Sequence, residues 1–288
     1  MRLDDLRSTE NVDDQRGAFG GYGPHVAVGG GGLGIVAIVV VSMLLGVDPS
    51  QLLSGSTGAG TPAQTTQGGT APRSDDAAYQ FARKIVGSAE DVWTPIMKAR
   101  GIAFSPATLT VYDNATQTGC GEGLSSAGPF YCPSEHHIYL DLSFFNQLAD
   151  QFGAPGQFAQ AYVIAHEYGH HIQNLVGTMD KEHAQLQGSG ATGSNGASVR
   201  IELQADCYAG VWAFHANQQF SILQQGDVDG GLRAASSVGD DALQKQGQGY
   251  VVPDSFTHGT SEQRVRWFKR GLAHGDMDEC DTFSTGAL

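Results

Sequence analysis

Apolar residues return at three- and four-residue steps between positions 157 and 176. Ala161, Ile164, Ala165, Tyr168, Ile172 and Leu175 form one stripe, and the spacing predicts an amphipathic helix. Pro155 and Gly177 punctuate its two ends. Further helices are expected over about 75–98 and 198–217, and strands over 108–112 and 138–142, the latter a stretch of alternating side chains, Ile138-Tyr139-Leu140-Asp141-Leu142. Near the end, Thr260 and Gln263 fit a capping box, with Val265, Trp267 and Phe268 as apolar anchors of a last helix. Together these elements predict an α+β domain over residues 75–288, mainly helical around a small sheet.

The N-terminal third follows a different pattern. Residues 26–47 carry no charge and end in a dense apolar run over 35–45. A bilayer core of about 30 Å needs roughly 20 such residues, so the stretch has the length of one transmembrane helix. A cleaved signal peptide fits less well, because the run starts late, behind Gly29 to Gly32, and has no Ala-x-Ala after it. Arg2, Arg7 and Arg16 precede the stretch, and the first basic residue after it is Arg73. That asymmetry predicts a single-pass protein of the bacterial cytoplasmic membrane, with residues 1–25 as a cytoplasmic tail and the domain outside. Residues 48–74, mostly Gly, Ser, Thr, Ala, Gln and Pro, read as a flexible tether.

Composition narrows the choice of partner. With 288 residues and 40% hydrophobic content the chain can bury a substantial core, and its 40 glycines are concentrated in the N-terminal third and the loops. A net charge of -14 leaves no clustered basic surface to meet phosphates, which argues against a nucleic-acid partner. All four cysteines follow the apolar stretch, and an even count beyond a membrane favours two disulfides. Four cysteines allow three pairings. The expected one joins Cys120 to Cys132, closing a Gly-rich loop, and Cys207 to Cys280, pinning the C-terminal tail to a helix. Zinc binding by the cysteines is the weaker reading, since no Cys-x-x-Cys pair exists.

The chemistry lies in His166-Glu167-Tyr168-Gly169-His170-His171. Residues i and i+4 of a helix share a face, so His166 and His170 can offer two imidazole nitrogens to one ion, while Glu167, about 100° round the helix, can reach a metal-bound water as general base. A metzincin-type extension would need Gly at 173 and His at 176, where this chain has Gln173 and Val176. In the next helix Glu202-Leu203-Gln204-Ala205-Asp206 again pairs i with i+4. Glu202 can complete a His2Glu set for one Zn2+, and Asp206 can hold the outer nitrogen of a ligand histidine.

These two runs, the latter continuing Cys207-Tyr208-Ala209-Gly210, together with Gly46-Val47-Asp48-Pro49 and His258-Gly259-Thr260-Ser261-Glu262-Gln263-Arg264, resemble the bacterial membrane-anchored neutral zinc metallopeptidase family over nearly the whole chain. The ligand layout is similar to the wider gluzincin class. The resemblance implies a zincin-like domain and a peptide or protein substrate. It also implies that His258 stabilises the oxyanion, with Arg264 as a lesser candidate or an ion-pair partner in the core, and that the 138–142 strand either lines the cleft as an edge strand or is plain sheet core. His171, turned about 100° from His170, reads as a surface residue or a support for the ligands.

The expected function is therefore a zinc-dependent peptidase acting outside the cytoplasmic membrane with Glu167 as general base. The alternative is a non-catalytic, metal-stabilised scaffold or binding protein of the cell envelope.

Overall fold

Asp76 opens the first helix by accepting the N–H of Ala78, and α1 (Ala77–Ala99) then buries Phe81, Ala82, Ile85, Val86, Ala89, Val92 and Trp93 along one side. The computed structural model describes residues 1–17, 76–179, 190–284, 286 and 288. The expected span 26–47 and tether 48–74 lie outside the described residues. Among the described residues no helix is long and apolar enough to cross a membrane.

A four-stranded sheet packs beside α1. Its strands are β1 (Val12–Asp14), β2 (Thr108–Tyr112), β5 (Phe130–Cys132) and β6 (His137–Asp141), in the order β1-β2-β6-β5. Strands β1, β2 and β6 run parallel, with Val12 opposite Leu109 and Leu109 opposite Ile138, and β5 runs antiparallel to β6. Between β2 and β5 a hairpin forms from β3 (Ala115–Thr118) and β4 (Gly121–Leu124). Cys120 at its turn is bonded to Cys132 at the end of β5.

Two expectations are corrected here. The 138–142 strand is not an edge strand: β6 lies between β2 and β5, and β5 is the edge beside the helix that carries His166. Alternation reports that one face is buried and says nothing of what pairs on either side, so it could not separate these cases. Nor do residues 1–17 of the expected 1–25 tail stand apart from the domain, because residues 12–14 form β1 and both Leu6 and Thr9 are buried.

Helices supply the rest: α2 (Phe144–Asp150), α3 (Gln157–Leu175), α4 (Ala197–Phe220), α5 (Asp227–Ser237), α6 (Asp240–Gln248) and α7 (Ser261–His274). The mixed helix-and-sheet class is as expected, and α7 starts on the Thr260–Gln263 capping box. Gly210 of α4 and Gly271 of α7 let these two helices meet backbone to backbone. A Cβ at Gly271 would lie 1.9 Å from the Cys207 carbonyl oxygen, and one at Gly210 would lie 2.2 Å from that of Phe268. The Cys207–Cys280 disulfide closes over the same contact. This approach carries Arg264, in the first turns of α7, to the side of α4 that holds Asp206.

Candidate metal centre

His166 and His170 project from one face of α3 with their Nε2 atoms 3.2 Å apart. Glu202 reaches them from α4, its Oε2 3.1 Å from His166 Nε2 and its Oε1 3.6 Å from His170 Nε2. Donors held about 2.0–2.1 Å from one tetrahedral zinc lie about 3.3 Å from one another, so the three spacings fit such an ion. Two imidazoles and one carboxylate are also the donor set of zinc sites that keep a position open for chemistry.

The helices can come this close because residue 169 lacks a side chain. A Cβ there would lie 2.8 Å from the Ala205 carbonyl oxygen of α4. Gly169→Ala is therefore expected to cost roughly 1–3 kcal/mol of stability. It should also weaken zinc binding by moving Glu202 off the histidines. Denaturant unfolding and zinc titration measure the two effects, and unchanged values in both would show that the close approach is dispensable.

Each of these two histidines is aimed through its outer nitrogen. His166 Nδ1–H donates to Asp206 Oδ1 at 2.8 Å, and His170 Nδ1–H donates to Gln173 Oε1 at 2.8 Å, leaving both Nε2 atoms for the ion. Gln173 in turn donates to the Ile201 carbonyl and to Gln204 Oε1, tying α3 to α4 just beside the ligands. Asp206 is wholly buried and is met by Arg264, whose Nε and Nη2 donate to its two oxygens at 2.8 and 2.9 Å, and by the Tyr162 hydroxyl. Arg264 is thus the core ion-pair partner. Burial works against the charge on Asp206, but Arg264 and His166 outweigh it and hold the carboxyl below its ordinary range. Burial likewise disfavours a His166 cation, yet Asp206 and Glu202 raise this residue to about 10, so ligation through Nε2 has to release a proton.

Glu167 is buried and accepts no hydrogen bond from another side chain among the described residues. Burial pushes its carboxyl up to about 7, with His166 opposing the shift and Glu202 adding to it. A carboxyl poised near neutrality can both take and return a proton.

His258 stands on the loop before α7, within electrostatic reach of both Glu202 and Glu167. Asp240, the first residue of α6, holds that loop: its Oδ2 accepts the backbone N–H groups of Thr257, His258 and Gly259 at 2.7–3.0 Å, and its Oδ1 lies 3.3 Å from His258 Nδ1. Burial lowers the pKa of His258, but Glu202 and Asp240 together outweigh it and raise the imidazole above its usual value.

His171 belongs to a different layer. It is fully buried, donating to the Ser105 carbonyl and accepting from the Tyr131 hydroxyl of β5, and burial lowers it to about 4. All four cysteines are spent in disulfides, which removes them as metal ligands.

Sequence reasoning missed Gln173, Tyr162 and Asp240. The first two had a local signal, since Tyr162 is four residues before His166 and Gln173 three after His170, on the same side of one helix. Asp240 had none: it meets His258 only through the folding of α6 against the loop.

The sequence model of a family described as "Putative neutral zinc metallopeptidase" matches residues 1–283. The chain is 44% identical over 288 residues to the uncharacterized protein YpfJ of Escherichia coli (strain K12), a match covering 98% of this chain and 99% of that protein. It is 40% identical over 268 residues to the uncharacterized protein Rv2575 of Mycobacterium tuberculosis (strain ATCC 25618 / H37Rv), with 86% of each chain covered. No solved structure matches significantly.

Proposed function

The chain belongs to the neutral zinc metallopeptidase family, and from that premise we propose that it is a zinc-dependent peptidase that hydrolyses peptide bonds outside the cytoplasm. One observation carries the reading: three donors suited to zinc converge within 4.8 Å of one another, and the buried Glu167 carboxyl belongs to the residue next to one of them.

His166, His170 and Glu202 would hold the ion. Zinc bound there supplies Lewis acidity, polarising a carbonyl and making water a nucleophile near neutral pH. Glu167 would take a proton from the attacking water at its carboxylate and return it to the leaving nitrogen. His258 donates from Nε2 to the developing oxyanion, with Asp240 holding Nδ1 on the far side of the ring. Asp206 and Gln173 keep the ligand rings from turning. A scaffold role is disfavoured because a structural zinc is closed by four protein donors, whereas three converge among the described residues. Two disulfides support placement outside the cytoplasm.

The test uses the full chain, loaded with zinc and digesting a quenched-peptide library with and without chelator. Cleavage that stops on chelation and returns with zinc is expected. Stoichiometric zinc without any cleavage would favour the scaffold. Within an active enzyme, His258→Ala should lower kcat about 10²–10³-fold with zinc content unchanged. A parallel loss of zinc would instead make His258 a support of the metal site.

A further inference from the structure

A buried carboxylate in the middle of α1 says where the N-terminus must be. Glu90 is only 5% exposed, and among the described residues its side-chain hydrogen-bond partners come from residues 7–11. Thr9 Oγ1 donates to its Oε1 at 2.5 Å, Asn11 Nδ2 to the same oxygen at 2.9 Å, and Arg7 Nη2 to Oε2 at 2.7 Å. Three positions earlier, Gly87 is a notch for this segment. A Cβ there would stand 2.5 Å from the Arg7 carbonyl oxygen.

The remaining contacts follow the segment along its length. Arg2 N–H bonds the Ile222 carbonyl, Lys84 holds the Leu3 carbonyl, and Thr9 exchanges bonds with Arg83, whose guanidinium takes the Thr9 carbonyl while the Thr9 N–H donates to the Arg83 carbonyl. Leu6 enters the main apolar core. Then β1 adds to the edge of β2, and the Gln15 N–H reaches the Val111 carbonyl. The family match likewise begins at residue 1.

We infer that residues 1–17 are a docked part of the zinc domain, and hence that the N-terminus and the metal centre occupy the same compartment. A single crossing by residues 26–47 with the N-terminus inside would set a bilayer core of about 30 Å between β1 and β2, strands that must lie about 4.8 Å apart. Pairing and crossing exclude each other. It follows too that a protein cut back to residue 76 would leave Glu90 buried without its partners, so the full chain is the proper material for every measurement proposed.

The inference rests on packing and is independent of peptidase activity. All native cysteines are in disulfides, so one added cysteine is a unique thiol. Glu10→Cys and Tyr250→Cys place it at side chains that are, respectively, 91% exposed in the docked segment and part of a residue 62% exposed on the domain. Cells making the full chain are treated with a membrane-impermeant maleimide before and after lysis. The expected result is the same pattern for both variants. Labelling of Tyr250→Cys in intact cells with Glu10→Cys reactive only after lysis, or the reverse, would overturn it. A second measurement reads docking itself. In Arg7→Cys/Asp91→Cys, which replaces a pair in contact at 2.8 Å, a short bis-maleimide should link the two thiols. Two freely labelled thiols that never link would also overturn the inference.

Discussion

Glu167→Gln should retain zinc and lose hydrolysis, with kcat falling about 10²–10⁴-fold, the usual contribution of a positioned general base. Gln is nearly isosteric with Glu and residue 167 is not among the three converging donors, so neither the packing of α3 nor the zinc stoichiometry should change. Removing a carboxyl that burial and Glu202 both disfavour in its charged form should not weaken the fold. The measurement is kcat on a peptide found by library digestion, beside zinc content and an unfolding curve. Full activity in a zinc-loaded variant would remove Glu167 from the mechanism. A loss of zinc would mean that the carboxylate helps hold the metal.

Replacing Asp206 should produce the largest loss of stability. Asp206→Ala leaves Arg264 buried without its counter-charge, leaves the Tyr162 hydroxyl without its acceptor, and releases the ring of His166. Breaking a buried ion pair on one side costs about 3–5 kcal/mol. Losing the carboxylate behind a ligand histidine costs roughly 10–100-fold in metal affinity. The double variant Asp206→Ala/Arg264→Met separates the two effects. It removes the stranded cation, so stability should partly return, but the His166 ring stays unsupported and zinc affinity should not. If affinity recovers together with stability, Asp206 acts only through the fold.

The elements that were legible are those whose signal is local. The stripe over 157–176 is α3 within a residue, and the i, i+4 rule that placed His166 with His170 also placed Glu202 with Asp206 one helix later. In one case the motif carried more than was read from it. Gly169 stands between the two histidines where α4 comes up against α3, and its missing Cβ permits the distance from Glu202 to both.

What escaped has a common cause. Strand β1 is three residues long, Val12-Asp13-Asp14, too short and too polar to show a period, and it exists because β2 offers an open edge and α1 offers Glu90 and Gly87. The basic residues Arg2, Arg7 and Arg16 carry no sign of that pairing. Asp240 shows the same limit. It reads as an acidic residue at a helix start, and only the loop folding back across it brings three backbone N–H groups and His258 to one carboxylate.

The sequence by itself determined the donor residue types, their spacing and the helices that present them, because helical periodicity converts spacing along the chain into direction in space. The tertiary structure alone decided which groups stand behind those donors, which strand is the edge, and that residues 12–14 pair with β2. Those depend on contacts between residues tens of positions apart, formed where missing side chains at Gly87, Gly169 and Gly271 let backbones meet, and periodicity carries no information about them.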